Sequence, residues 1–272
     1  MPAISVIVIT YNEEKNIERC LRGVQWADEI IVVDSFSTDR TVELARRYTN
    51  NIIQHAYDGD IPQRERGIQQ STGDWILGVD ADEEVTDELA GEIRSVIREN
   101  NSIDGYEVPM KVWALGRWIF HGGWYPDYHF RLFRRGKYKV EQAEVHGGFA
   151  VDGSQSRLHG FILHYTYETI EQYLSKMNNY TSLQVSNKFR DNPDIQIGWA
   201  KILFSPMSHF FRKYISQQGY KDGFVGFILA ALGSIYTLAL YAKVWEYRMR
   251  KQEGKGILPP ITNVELQSYR RA

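Results

Sequence analysis

The chain opens on an unbroken apolar run, "AISVIVIT" at 3–10, rich in β-branched residues. Side chains alternate between the two faces of a strand, so a wholly apolar run predicts a strand covered on both faces. "EIIVVD" (29–34) and "DWILGVD" (74–80) repeat the pattern, and "NIIQHA" (51–56) predicts a shorter third strand. The stretches between them change period. "EEKNIERCLRGV" (13–24) places Ile17, Leu21 and Val24 on one helical stripe. "STDRTVELARRY" (37–48) predicts a helix capped by Ser37 or Thr38, with Val42 and Leu44 facing inward. "PQRERGIQQST" (62–72) carries Pro62 near a first helical turn, and "TDELAGEIRSVIREN" (86–100) is a further helix. Strands alternating with helices predict an α/β fold with a mainly parallel sheet and helices on both faces. In such sheets ligands bind beyond the carboxyl ends of the strands. Thr10, Tyr11, Asp34, Asp80 and Asp82 are therefore predicted along one rim.

The pattern changes again in the last hundred residues. "TIEQYLSKMNNYTSLQVSNKFR" (169–190) predicts a helix. "WAKILFSPMSHFFRKY" (199–214) sets Trp199, Ile202, Leu203, Met207, Phe210 and Tyr214 at helical spacing with Lys201, Arg212 and Lys213 among them, as in an interfacial helix. Residues 223–242, "GFVGFILAALGSIYTLALYA", carry no charge and are long enough to span a bilayer. Basic residues flank the run on both sides, so no orientation follows, and Gly223, Gly226, Gly233 and Ser234 permit tight helix packing. Interfacial or re-entrant, spanning and buried readings of 223–242 all stay open.

Charge sharpens this division. The net charge is −2, yet from residue 199 onward there are 11 Lys and Arg against 4 Asp and Glu. A basic tail on an acidic body points to an anionic surface, and Lys243, Arg248, Arg250 and Lys251 would favour anionic lipid. Basic residues interleaved with a long uncharged run do not suit nucleic acid. Cys20 is the sole cysteine, so no internal disulfide is expected, which fits a reducing compartment. The start runs directly into a strand without a basic leader, so no signal peptide is expected.

The chemistry concentrates in "GVDADEEV" (78–85), where an apolar strand runs into Asp80, Asp82, Glu83 and Glu84. Asp80 and Asp82 are two apart and point the same way along an extended chain. Paired carboxylates at a strand end suit Mg²⁺ or Mn²⁺, which bind one or two carboxylates together with substrate phosphates. Glu83 and Glu84 read as solvated loop charges ahead of a helix start.

Taken together, "SVIVITYNEEKNIERCL", "IIVVDSFSTDRTVELA", "QRERG" and "DWILGVDADEEV" resemble glycosyltransferase family 2, inverting enzymes of the GT-A fold that use nucleotide sugars. "DADE", "PDYHFRLFRRG", "VH" and "LHY" resemble the bacterial lipopolysaccharide-core β-glucosyltransferase branch. The resemblance covers about the first 165 residues and implies a GT-A domain over 1–165; the pattern beyond it predicts a helical, membrane-associated region over 166–272. The resemblance implies that Thr10 and Tyr11 line a base and ribose pocket with Glu13 nearby, that Asp34 bonds the base, that Arg64 lies near the diphosphate, that Asp80 touches ribose or sugar, and that Asp82 holds the metal. Glu65 stands where the family usually has Asn. Asp127 matches the catalytic base, with Pro126 replacing the usual preceding Glu, and Glu144 is the second candidate. His146 and His164 are candidates for a metal-shell histidine, and His129 and Arg131 for phosphate or acceptor; each also fits a structural role. "GRWIFHGGWYPDY" (116–128) reads as an acceptor loop or a small satellite core.

The function implied is transfer of a sugar, from UDP-glucose or a similar donor, to a hydroxyl of a lipid-anchored glycan such as lipopolysaccharide core. The expected place is the cytoplasmic face of the inner membrane. Polyprenyl phosphate as acceptor, or a degenerate sugar-nucleotide-binding protein, are the alternatives. A nucleotidyltransferase would need a Gly-rich loop after the first strand, where "TYNEEKN" has none; a dehydrogenase lacks G-x-G-x-x-G.

Overall fold

The computed structural model describes residues 2–99, 101–141, 148–192 and 195–253. The chain divides into two compact units, Met1–Trp113 with Pro126–Thr166, and Ala114–Tyr125 with Tyr167–Ala272.

In the first unit the predicted alternation is present: β1 (Ile4–Thr10), α1 (Ile17–Arg22), β2 (Glu29–Asp34), α2 (Thr41–Ala45), β3 (Ile52–Gln54), α3 (Asp60–Gln70), β4 (Trp75–Asp80), β5 (Glu83–Val85) and α4 (Asp87–Glu99). β6 (Gly105–Ala114) begins the second half of the sheet, and β7 (Arg117–Ile119) belongs to the other unit. β8 (Asp127–Arg134), the β9 (Tyr138–Glu141) and β10 (Gly148–Val151) hairpin, β11 (Gln155–Arg157) and β12 (Ile162–Tyr167) follow. The main sheet runs β3-β2-β1-β4-β8-β6-β12-β5. Its first four strands are parallel. β8 is antiparallel to both β4 and β6, so the sheet is mixed.

The apolar run of β1 is explained by two cores. Val6 and Val8 face one core with Ile17, Leu21, Val24, Leu89 and Ile93. Ile7 and Ile9 face the other with Ile31, Val33, Ile68 and Phe133. Gly67 lets α3 lie close to β1, because a Cβ there would come within 2.3 Å of the Ile7 side chain. One local expectation fails: α2 starts after Arg40, with no side-chain cap. Ser37 and Thr38 are used elsewhere, stitching the β1–α1 and β2–α2 loops. The Asn12 N–H donates to Ser37 Oγ at 2.8 Å, and the Thr38 N–H donates to Asn12 Oδ1 at 2.8 Å. Leu44 is buried but Val42 only half-buried.

The second unit is mainly helical: α5 (Ile170–Asp191), α6 (Trp199–Phe211) and α7 (Gly223–Gln252). Thr169 and Gln172 form a reciprocal capping box at the start of α5. The β7 segment contributes fully buried Ile119. Beside it Asp222, almost wholly buried, accepts from the Phe120 and His121 N–H groups and meets His121 Nδ1 at 3.0 Å.

Candidate active site

Because β1, β2 and β4 are parallel, their carboxyl ends bring Thr10, Asp34 and Asp80 to one edge of the sheet. β8 runs antiparallel to β4, so its first residue, Asp127, begins on that same edge. β12 is antiparallel to β5 with His164 opposite Glu83, which brings His164 to the turn after β4.

Asp34 is fully buried. Its carboxylate accepts from the Ser37 N–H and hydroxyl and from Gln54 Nε2 at 2.9 Å. Tyr11 and Thr10 are buried beside it, and Thr10 Oγ1 has no hydrogen-bond partner. Glu13 is half-buried: its N–H donates to Thr41 Oγ1 at 2.7 Å and its carboxylate accepts from Asn16. Phe36 follows in a left-handed backbone conformation, φ 61°, with its ring exposed. The sequence carries no signal for this conformation, because a φ value is not visible in residue identity. A non-glycine residue pays roughly 1–2 kcal/mol for that conformation. Phe36→Gly is therefore expected to leave stability unchanged or raise it by up to about 1 kcal/mol, after the entropy glycine adds to the unfolded chain. Urea unfolding checks this.

The acids of "DADEE" separate by environment. Ala81 and Asp82 form a turn after β4, so the extended geometry expected for the Asp pair does not hold. Asp80 is ion-paired with Arg64, and Arg131 lies 3.6 Å from its other oxygen. Asp82 instead faces His164, with Nε2 3.4 Å from its carboxylate. Glu83 is not a solvated charge: it is fully buried, pairs with Arg131 at 2.6 Å and accepts from the Asp80 N–H at 2.8 Å. Burial pushes the Glu83 carboxyl above its ordinary range, Asp80 and Asp82 add to the push, and Arg131 opposes it. Glu84 is half-buried, accepts from the Tyr165 hydroxyl and lies 3.8 Å from Arg19. Burial acts to lower His164, but the Asp82 carboxylate overrides it and holds the imidazole above its usual range.

Arg64 and Arg131 are thus largely buried and ion-paired with the acids at the end of β4. Each keeps a buried nitrogen without a partner, Nη1 of Arg64 and Nε of Arg131. With Thr10 Oγ1, these orphaned polar atoms are what a polar, anionic ligand would satisfy. The sequence allows Arg131 a phosphate or acceptor contact or a structural place on its strand; its pairing with Asp80 and Glu83 has no local sequence signal.

Asp127 is exposed, and its carboxylate meets His129 Nε2 at 2.9 Å. His146 and Glu144 lie outside the described residues. Among the described residues no group of three or more His, Cys, Asp or Glu side chains is arranged to hold a metal. The Asp82 and His164 pair nevertheless suits a divalent cation that completes its shell with donor phosphates and water.

A protein-family profile described as "Glycosyl transferase family 2" matches residues 5–151. The chain is 25% identical over 255 residues to the lipopolysaccharide core biosynthesis glycosyltransferase LpsC of Rhizobium meliloti (strain 1021), covering 89% of this chain and 92% of that one. It is 29% identical over 251 residues to an uncharacterized glycosyltransferase of Rickettsia bellii (strain RML369-C), covering 87% and 85%. Among solved structures, S. aureus TarS 1-349 in complex with UDP-GlcNAc aligns with a TM-score of 0.47 at 17% identity, over 99% of this chain and 90% of that one. The family match takes in every element that carries Thr10, Asp34, Arg64, Asp80, Asp82 and Asp127, and the chain is a glycosyltransferase that belongs to glycosyltransferase family 2.

Proposed function

We propose that this enzyme transfers a sugar, with inversion, from a UDP-sugar such as UDP-glucose to a hydroxyl of a lipid-anchored glycan of the lipopolysaccharide-core type. The observation that carries this reading is the convergence of Asp34, Arg64, Asp80, Asp82 and Asp127 on one edge of the sheet. Thr10, Tyr11 and Asp34 would bind the nucleoside, with Glu13 supporting their loop. Arg64 would face the diphosphate, and Asp80, oriented by Arg64 and Arg131, the ribose or the sugar. Asp127 would take the proton of the acceptor hydroxyl as its oxygen bonds the anomeric carbon. The bond from that carbon to the diphosphate breaks on the opposite face, and the nucleoside diphosphate departs. Asp82 and His164 would hold Mg²⁺ or Mn²⁺, which when bound would supply positive charge to stabilise the leaving diphosphate.

The direct test offers purified protein with Mn²⁺ a panel of UDP-, GDP- and dTDP-sugars and scores thermal stabilisation and slow hydrolysis. Stabilisation by UDP-sugars above the others supports the reading; no response to any donor removes it.

An acceptor of this class would put the enzyme at the membrane, on the cytoplasmic face where nucleotide sugars are available. Similarity to a lipopolysaccharide core biosynthesis enzyme and the apolar helix over Gly219–Gln252 support this. The full chain is expected to sediment with membranes and to need detergent for extraction. A chain cut after about residue 195 should bind membranes less. Fractionation at low and high salt checks both; a full-length chain that is monodisperse without detergent overturns the membrane assignment.

A further inference from the structure

The uncharged run 223–242 lies within α7, which at 30 residues is about 45 Å long. One stripe of α7 faces outward: Phe224, Phe227, Ile235, Leu238, Trp245 and Met249 are exposed at helical spacing. α6 adds Trp199, Leu203, Phe204, Met207 and Phe211, all exposed, while its Pro206 is buried. The two helices pack together: Ser234 Oγ donates to the Pro206 carbonyl at 2.7 Å, and Phe210 meets Phe227 edge to face at 5.7 Å.

The opposite side of α7 is already covered. Val244 packs with Val185 and Phe189 of α5, and the Phe189 and Tyr247 rings lie 4.1 Å apart. Lys243 Nζ lies 2.8 Å from each of Asn178 O, Asn178 Oδ1, Thr181 Oγ1 and Ser182 Oγ. Lys243 is thereby taken out of the basic cluster expected to meet lipid. α5 is polar, with Glu171, Lys176, Lys188, Arg190 and Asp191 along it. Were 223–242 to cross a bilayer, the first turns of α5, which lie beside its end and carry Glu171 and Lys176, would be drawn into the hydrocarbon, at a cost. Tyr173 of α5 lines one cavity together with Tyr236, so the part of the run clear of α5 ends near residue 235. Residues 223–235 rise only about 20 Å, short of the roughly 30 Å hydrocarbon core. Basic residues also stand at both ends, Arg212, Lys213 and Lys221 before the run and Arg248, Arg250 and Lys251 after it. A spanning helix puts its ends on opposite faces, whereas one lying flat brings both basic ends to the same anionic headgroups.

We propose that α6 and α7 lie in the plane of a single anionic leaflet, their aromatic and aliphatic stripes immersed, and that α7 does not cross the bilayer. Trp199 and Trp245 then sit at the interface level where indole is favoured. This rests on the membrane-bound reading above and refines it from association to one-sided, in-plane insertion.

The test uses the full chain. Cys20 is buried, so Cys20→Ser gives a thiol-free background. Single cysteines go in at exposed positions: Asn50→Cys on the first unit, Ser216→Cys before α7 and Gln252→Cys at its end. Membranes are prepared as inverted vesicles and as spheroplasts, and a membrane-impermeant maleimide is added. All three sites are expected to react in inverted vesicles and none in spheroplasts. Ser216→Cys or Gln252→Cys reacting only from the spheroplast side means α7 spans and overturns the proposal. A protein absent from the membrane pellet is a separate result, which removes the membrane reading itself and this inference with it. As an independent measure, Phe224→Asp with Leu238→Asp should lower partitioning onto vesicles of phosphatidylglycerol and phosphatidylethanolamine about tenfold or more. Near-UV circular dichroism shows whether the variant is folded. A folded variant that partitions as the parent overturns the assignment of this stripe.

Discussion

Asp127→Asn is expected to lower sugar transfer by roughly 10²-fold or more, the scale of a lost general base, while nucleotide-sugar binding changes little. The side chain is more than half exposed at the first residue of β8, on the edge where β4 ends. That leaves it open to an acceptor rather than buried under the nucleotide. Asn keeps the volume and can still accept a hydrogen bond from His129, 2.9 Å away, but it cannot take a proton at neutral pH. Calorimetric donor binding and single-turnover transfer measured side by side separate the two effects. If transfer survives in Asp127→Asn and is abolished in Glu144→Gln, the base is Glu144. Transfer that survives both replacements favours a polyprenyl phosphate acceptor, which is already anionic and needs no strong base.

Asp82→Asn is expected to weaken Mg²⁺ or Mn²⁺ binding by at least about tenfold, the usual range for disturbing a metal site, and to reduce donor turnover sharply. The two acids differ in how their charge is already met. Asp80 is held by Arg64 and Arg131, whereas Asp82 faces a histidine that can give up its proton to admit a metal. Since Asp82 raises His164 above its ordinary value, a cation must compete with that proton, and apparent metal affinity should fall as pH falls through the raised value. In the metal-free protein the sign is reversed. The Asp82–His164 attraction contributes stability that is full below the unfolded histidine value of about 6.5 and is lost as pH rises through the folded one. Mn²⁺ binding followed by electron paramagnetic resonance reads the site without relying on turnover. Full activity in excess EDTA, or an Asp82→Asn enzyme that turns over normally, would sink the metal assignment.

The order of strands and helices over the first hundred residues could be read from the sequence because both periodicities are local. A β-branched apolar run such as 3–10 has few alternatives once both of its faces are to be covered, and Ile17, Leu21 and Val24 repeat at a spacing only a helix makes continuous. Strand polarity then gathered Thr10, Asp34 and Asp80 at one edge, and the ordered motifs pointed to the family that the profile match bears out. What the sequence could not decide was which charges are met by partners far along the chain. Glu83 looks like its neighbour Glu84 in the string, but Arg131, 48 residues on, arrives by antiparallel pairing and makes it a buried ion pair. Asp80 and Asp82 looked equivalent until the turn at 81–82 gave one two arginines and the other a histidine. The C-terminal run is the same case. Apolar length alone allows a spanning, lying or buried helix, since hydropathy records how much surface is apolar and not which side of it is already occupied. The packing of α5 against α7, with Lys243 turned into Asn178, Thr181 and Ser182, is the tertiary observation on which the in-plane proposal rests, because polar groups are costly to carry into hydrocarbon.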